Sequence, residues 1–436
     1  MSPDRTEPVS GAPGGEASAR ALRLYSWTDP QVMSLAIIAL AAGFAQYSVI
    51  TSLGDVAKAF GQVTHGTSIA EQAGLSGTVV GLGLAIIRLA SLAGLPLASS
   101  ADRFGRRRMI VGTCAVGLAL TALAAASPGY WWFVAIFAFG RPFLSAAAAI
   151  AQVGAAEQTS ATHRSMGVAL VAAGYAVGAG LIAILHGLAG NSIGFRGLFA
   201  VAVVPLIALP LIGARVAEPD RYARAAAART ANRPALGTVA RPYWRRLGIV
   251  AGIGFAVSVV TGPANSFIFF YGQNVLRLSG TTLALMVVSA GVTGLAGLIA
   301  GRWTADHWGR RPAASAAMIA VWLSATLAYS GSPTALFVGY LSGIFSGASF
   351  APAAGALVNE LFPTSVRASV SGWYVATGVV GAAAGLLTFG TIAGNGNHFL
   401  LAGLVTFAVA LPAAAMFWLV PETNGREPEE LWPDQP

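Results

Sequence analysis

Twelve stretches of about twenty largely apolar residues follow one another along this chain. They cover 31–52, 76–99, 109–127, 131–155, 165–189 and 195–216, then 247–272, 281–301, 312–330, 334–359, 367–392 and 398–420. A bilayer core about 30 Å thick needs about 20 residues of helix, so each stretch predicts a membrane-spanning helix. Lipid offers backbone amides no partners, and a run of this length satisfies its own only as a helix. Composition agrees with this. Of 436 residues, 55% are hydrophobic and only 10% charged, against about 25% charged in a soluble domain. Most of the 53 glycines and 22 prolines sit within the apolar runs, where membrane helices tolerate them. The expectation is an all-α polytopic membrane protein.

The net charge of +9 suggests a nucleic-acid partner only until the charges are located. Of the 26 basic residues, 25 are arginine and one is Lys58. The first 30 residues are polar, carry Arg5, Arg20 and Arg23, and lead to no small-residue cleavage site after the first apolar run. They read as a retained tail rather than a signal peptide. With that tail cytoplasmic, the tail, the connections after even-numbered spans and the C-terminus hold 21 basic residues. The opposite side holds three, Lys58, Arg196 and Arg277. Basic residues are retained on the cytoplasmic side, so this ratio predicts a multi-pass cell-membrane protein with both termini inside and no nucleic-acid partner.

The longest cytoplasmic connection, 217–246, carries Arg221, Arg224, Arg229, Arg233, Arg241, Arg245 and Arg246 and reads as a linker lying on anionic headgroups. It divides the chain into a tail (1–30), a six-helix bundle (31–216), a second six-helix bundle (247–420) and a tail (421–436).

Three signatures recur across that divide at nearly one offset. Asp102-Arg103-Phe104-Gly105-Arg106-Arg107 returns as Asp306-His307-Trp308-Gly309-Arg310-Arg311, 204 residues on. Glu157 with Arg164 returns as Glu360 with Arg367, and Glu218 beside Pro219 returns as Glu422 beside Pro421. Three matches in register argue for a duplicated six-helix unit, an architecture common among transporters.

The Asp-x-x-Gly-Arg-Arg turns, the paired Glu and Arg, the Gly140-Arg141 step in the fourth span and the tail Pro421-Glu422-Thr423-Asn424-Gly425-Arg426 resemble the major facilitator superfamily. Their pattern is most similar to its sugar-porter and organic-ion branches. The resemblance covers about residues 31 to 430. It implies two pseudo-symmetric six-helix bundles that transport a small solute by alternating access, working as a monomer without a cofactor or metal. Proton-coupled uptake of an organic anion or sugar-like metabolite is the leading expectation. Proton-linked export is the alternative, disfavoured because Gly178 is followed by Ala179 where exporting relatives carry Gly-Pro. The resemblance also implies that Asp102, Arg106, Arg107, Glu157 and Arg164, with Asp306, Arg310, Arg311, Glu360 and Arg367, form conformational latches stabilising an outward-open state. Charge-assisted bonds of this kind form in one arrangement and break in another.

Arg88 and Arg141 lie about 21 and 24 Å from the cytoplasmic ends of their spans at the helical rise, too deep to snorkel easily. A charge there costs about 2.5–3.5 kcal/mol on insertion scales, so each should face a wet cavity or a partner. All 17 acidic residues fall at span ends, loops or tails. The arginines are therefore candidates for binding an anionic substrate group, with donation to backbone carbonyls or to Ser91 and Ser145 as the structural alternative. Further wall candidates, polar or aromatic within spans, are Gln46, Tyr47, Tyr175, Asn265, Tyr271, Trp373 and Tyr374. The first span holds no acid before Asp55, which leaves Asp55 and His186 as the proton-coupling candidates. A membrane-embedded enzyme is the rival class. It would need clustered acids, bases or metal ligands, whereas Cys114 is the sole cysteine and the five histidines are scattered. There is also no Gly-x4-Gly-Lys phosphate loop.

Overall fold

The first span begins where Asp29 accepts the Gln31 N–H at 2.8 Å and Pro30 occupies the opening turn, and it runs Pro30–Thr51. Past Ser52 it continues as Leu53–Phe60. The computed structural model describes residues 29–64, 69–159, 163–216, 243–394 and 398–426. Residues 217–242 and both terminal tails beyond these bounds lie outside the described residues, as do the side chains of Asp102 and Arg164.

Span two is Gly77–Ala90 and Gly94–Phe104, joined by the 3-10 turn Ser91–Ala93 and started by Ser76 Oγ accepting the Val79 N–H. Spans three and four are Arg106–Ala124 and Tyr130–Gln158. The second half repeats the scheme. Span seven is Trp244–Ser266 plus Ile268–Asn274, span eight Gly280–Trp308, span nine Arg310–Ala328, span ten Pro333–Glu360 and span eleven Thr364–Gly394. Span twelve combines Phe399–Phe407, Ala410–Met416 and the 3-10 turn Phe417–Leu419. No strand occurs among the described residues.

The break between spans five and six falls at Gly194, whose φ of 61° interrupts the helical backbone of Arg164–Ala200, and the sixth span finishes as Val203–Gly213. In span seven the break falls at Phe267, after Pro263, and the Tyr329 hydroxyl donates toward the Pro263 and Ala264 carbonyls at 3.2 and 2.9 Å. Among the described residues, ten helices are long and apolar enough to cross a membrane alone. The sixth span is broken into pieces, and the ninth opens on Arg310-Arg311, which lowers its hydropathy.

Helix pairing carries the duplication. Span one packs on five, three on four and two on four; in the second half seven packs on eleven, nine on ten and eight on ten. Exchanging the halves maps each pair onto its counterpart. The two main contacts between halves, two with eleven and five with eight, are likewise images of each other. Gly105 and Gly309, at matching turns, both hold positive φ (92° and 96°), a conformation that an L side chain resists.

The halves close together at the ends of the spans remote from the N-terminus. A Cβ on Gly390 would stand 2.5 Å from the Gly77 carbonyl oxygen and 2.9 Å from the Gly81 Cα, so spans two and eleven touch backbone to backbone there. Leu386 and Leu84, one turn toward the N-terminal face, already belong to a cavity.

Candidate substrate cavity

Helical periodicity builds this cavity at the junction of the halves. Residues spaced by three or four share a helix face, and the wall takes Gln46, Val49 and Ile50 from span one, Leu84, Ile87 and Arg88 from span two, and Phe137 and Arg141 from span four. From the other half, span seven contributes Thr261, Asn265 and Ser266, and span eleven Leu386. The enclosed volume is about 230 Å³.

Donors dominate the first-half wall. The Nε atoms of Arg88 and Arg141 and Nε2 of Gln46 are buried without hydrogen-bond partners. Gln46 is held from behind, its Oε1 accepting from the Tyr175 hydroxyl at 3.3 Å. The Ser91 hydroxyl donates to the Arg88 main-chain carbonyl at 2.6 Å. Among the described residues, no carboxylate lines the cavity.

The sequence candidates thus divide. Arg88, Arg141, Gln46 and Asn265 share the wall. Tyr175 stands one hydrogen bond behind it. Tyr47 leaves it, packing edge-on against Phe269 with its hydroxyl 3.3 Å from that of Tyr340, a contact between the halves. Tyr271 is 2% exposed and sits in an aromatic cluster, 5.1 Å from Tyr329 and 4.6 Å from Phe399 between ring centres. Tyr374 lays its ring toward Gly254, and its neighbour Trp373, about 100° around the helix, is 46% exposed away from this wall. Thr261 was the wall residue most open to inference, since it precedes Asn265 by one turn.

Toward the closed end, His186 Nε2 lies 2.7 Å from Asp55 Oδ2, joining span five to the extension of span one. Gln273, from the second half, places Nε2 3.3 Å from the same imidazole nitrogen. His186 is 2% exposed at its side chain, and its Nδ1 and the Gln273 Oε1 are buried without partners. Two residues proposed from the first half therefore meet a third from the second, which sequence reasoning missed.

At the opposite ends, the repeated charges bond within their own halves. Arg106 Nη2 pairs with Glu157 Oε1 at 2.8 Å. Arg310 meets Glu360 through Nη2 at 2.8 Å and Nε at 2.7 Å. Arg107 donates to the Gly213 carbonyl, Arg311 to the Phe417 and Trp418 carbonyls, and Arg367 to the Phe362 carbonyl. Asp306 makes a 3.8 Å exposed contact with Arg302.

Glu422 joins this set in the second half, and its counterpart Glu218 lies outside the described residues. Its carboxylate accepts the backbone N–H groups of Arg310, Arg311, Thr423 and Asn424 at 2.9 to 3.1 Å and so caps span nine. Burial works to raise its pKa, and those backbone donors outweigh burial and hold it below the usual carboxylate range. A depressed folded pKa means this stabilisation is fully present above the unfolded carboxylate pKa and fades as pH falls through the folded one. Glu422→Gln should therefore lower the thermal midpoint at neutral pH by the equivalent of a lost helix cap, about 1 kcal/mol. The difference from wild type should shrink in acid, which a detergent melting series across pH checks.

Two helical bundles related by duplication, closing around a polar cavity within membrane-spanning helices, define a membrane carrier. A profile of the Major Facilitator Superfamily matches residues 35–304 and 285–434. The chain belongs to that superfamily and is a transporter, not an enzyme. It is 24% identical over 359 residues to a Haemophilus influenzae protein named for metabolite transport, covering 76% of this chain and 84% of that one. It is 25% identical over 374 residues to a Cupriavidus pinatubonensis protein named as a 4-methylmuconolactone transporter, covering 81% and 84%. The fold is similar to the inward open structure of the xylose transporter from E. coli, with a TM-score of 0.67 and 20% identity over 92% of this chain and 99% of that one.

Proposed function

We propose that this transporter moves a small organic anion across the cell membrane by alternating access, as a monomer with both termini cytoplasmic. The observation that carries the reading is the pair of arginines on a wall without a carboxylate. Gln46, Arg88 and Arg141 line one cavity and each keeps a buried side-chain nitrogen without a hydrogen-bond partner, with no carboxylate on the wall among the described residues. An anion supplies what each lacks, whereas a sugar hydroxyl leaves both charges uncompensated.

The bundles 31–216 and 247–420, joined by the linker 217–246, rock around the central cavity. With the N-terminus inside, the closed end is the outer one and the arrangement is inward-facing. Arg106–Glu157 and Arg310–Glu360 brace each half in this state. In the outward-open state the repeated turns, with Asp102 and Asp306, latch the halves on the inner side.

Proton coupling runs through Asp55 and His186, because Gln273 ties that pair to the moving second half. His186→Gln should therefore abolish the stimulation of uptake by a pH gradient while leaving exchange of substrate for substrate intact. Uptake that responds equally in wild type and His186→Gln would remove this coupling.

Reconstituted uptake of carboxylates, sugars and cationic compounds, with and without a pH gradient, tests the whole reading. Accumulation of carboxylates is expected. Accumulation of neutral or cationic compounds alone would refute the anion assignment.

A further inference from the structure

A second cavity of about 280 Å³ opens between spans seven, nine and ten, sharing Thr261 and Asn265 with the central one. Its walls are otherwise small and apolar: Ala325 and Ala328 from span nine, Gly343 and Gly347 from span ten. Thr261, Asn265 and Tyr340 are its polar side chains, and each is already engaged. Thr261 donates to the Val257 carbonyl at 3.0 Å, Asn265 donates to the Thr261 carbonyl at 2.9 Å, and the Tyr340 hydroxyl lies 3.3 Å from that of Tyr47. The central cavity thus carries the two arginines, while its annex is mostly apolar surface.

Glycine inside a helix is unfavourable relative to alanine, and at Gly347 nothing requires it, since an added Cβ would meet no atom within 4 Å. At Gly343 the Cβ would meet only the Ser324 Cβ, at an ordinary 3.6 Å. What these glycines do is leave room. An apolar cavity of about 150 Å³ holds a benzene ring, so the annex admits a six-membered ring with short substituents.

We propose that the annex receives the apolar body of the substrate while Arg88 and Arg141 hold its anionic group, so that the substrate class is a carboxylate carrying a compact apolar ring. This rests on the anion reading above and adds what that reading leaves open, the shape and polarity of the rest of the molecule. A sugar is disfavoured on the same ground, because apolar side chains make up most of the annex wall.

The test uses benzoate and cyclohexanecarboxylate as ring probes and propionate as the small one, with binding to purified full-length protein and uptake into proteoliposomes as readouts. Wild type should bind the ring carboxylates at least tenfold more tightly than propionate. The series Gly347→Ala, Gly347→Val and Gly347→Leu fills the annex stepwise without a steric neighbour, and should weaken the ring probes progressively, at least tenfold at leucine, with propionate unchanged. Thermal melting of each variant confirms folding, and the alanine and valine members carry the test should leucine fail to fold. Equal loss for all three probes, no loss for the ring probes, or a wild type without ring preference would each overturn the annex as the subsite. Arg141→Gln separates the two readings. If it leaves carboxylate binding intact the anion reading fails, whereas a Gly347 failure with Arg141 dependence preserved removes only the annex.

Discussion

Arg141→Gln is expected to weaken binding of the transported anion by about 30-fold to more than 1,000-fold, the range for truncating one member of a buried, hydrogen-bonded charge pair. The same substitution should leave the thermal midpoint unchanged or raise it. In the ligand-free protein the Arg141 Nε is buried without a partner, and a charge at that depth costs about 2.5–3.5 kcal/mol on insertion scales. Glutamine keeps a donor and discards the charge. A structural arginine would behave in the opposite way, with its removal lowering stability and sparing transport. Uptake of every accepted substrate at wild-type rates, beside a fall in melting temperature, would return Arg141 to a packing role.

Gly390→Val is expected to cut turnover by about 5- to 150-fold while sparing substrate binding from the open side. Its Cβ would stand 2.5 Å from the Gly77 carbonyl oxygen and 2.9 Å from the Gly81 Cα, and two further methyls have no space. Overpacking of this kind costs about 1–3 kcal/mol, and here the cost falls only on the state in which spans two and eleven touch. The population should therefore move toward the state open at that end, which slows the cycle without removing the site. Cys114, the only cysteine, is fully buried, so an Ile50→Cys substitution reports alone on access to the cavity. Maleimide should label it faster from the outer side in the Gly390→Val background. Identical labelling and turnover in the two backgrounds would count against the glycine contact as the closing surface.

The spans, their duplication and four of the six polar wall residues were legible because each leaves a local mark: a long apolar run, a motif at a fixed offset, or a polar side chain where lipid forbids one. Other features leave no such mark. Asp55 and His186 are 131 positions apart and Gln273 a further 87, and spacing along a chain does not say which helices meet. Tyr271 and Asn265 look alike as polar groups in one span, yet the turn at Phe267 sends the tyrosine ring into the second half's aromatic cluster. The annex was the least legible of all, because it is built from side chains that glycine lacks.

The pair of arginines on the cavity wall also has an electrical consequence. A carboxylate held by Arg88 and Arg141 finds no acidic residue on the wall to carry a compensating proton alongside it among the described residues. A monoanion crossing alone would therefore move one negative charge through the membrane field. At an interior-negative potential of 100 mV that opposes entry by about 2.3 kcal/mol, roughly 50-fold in the accumulation ratio. Inward accumulation then requires that at least one cation cross in the same cycle, and a second would make net import current-generating. The sign of the current accompanying substrate addition to planar bilayers reads that stoichiometry directly.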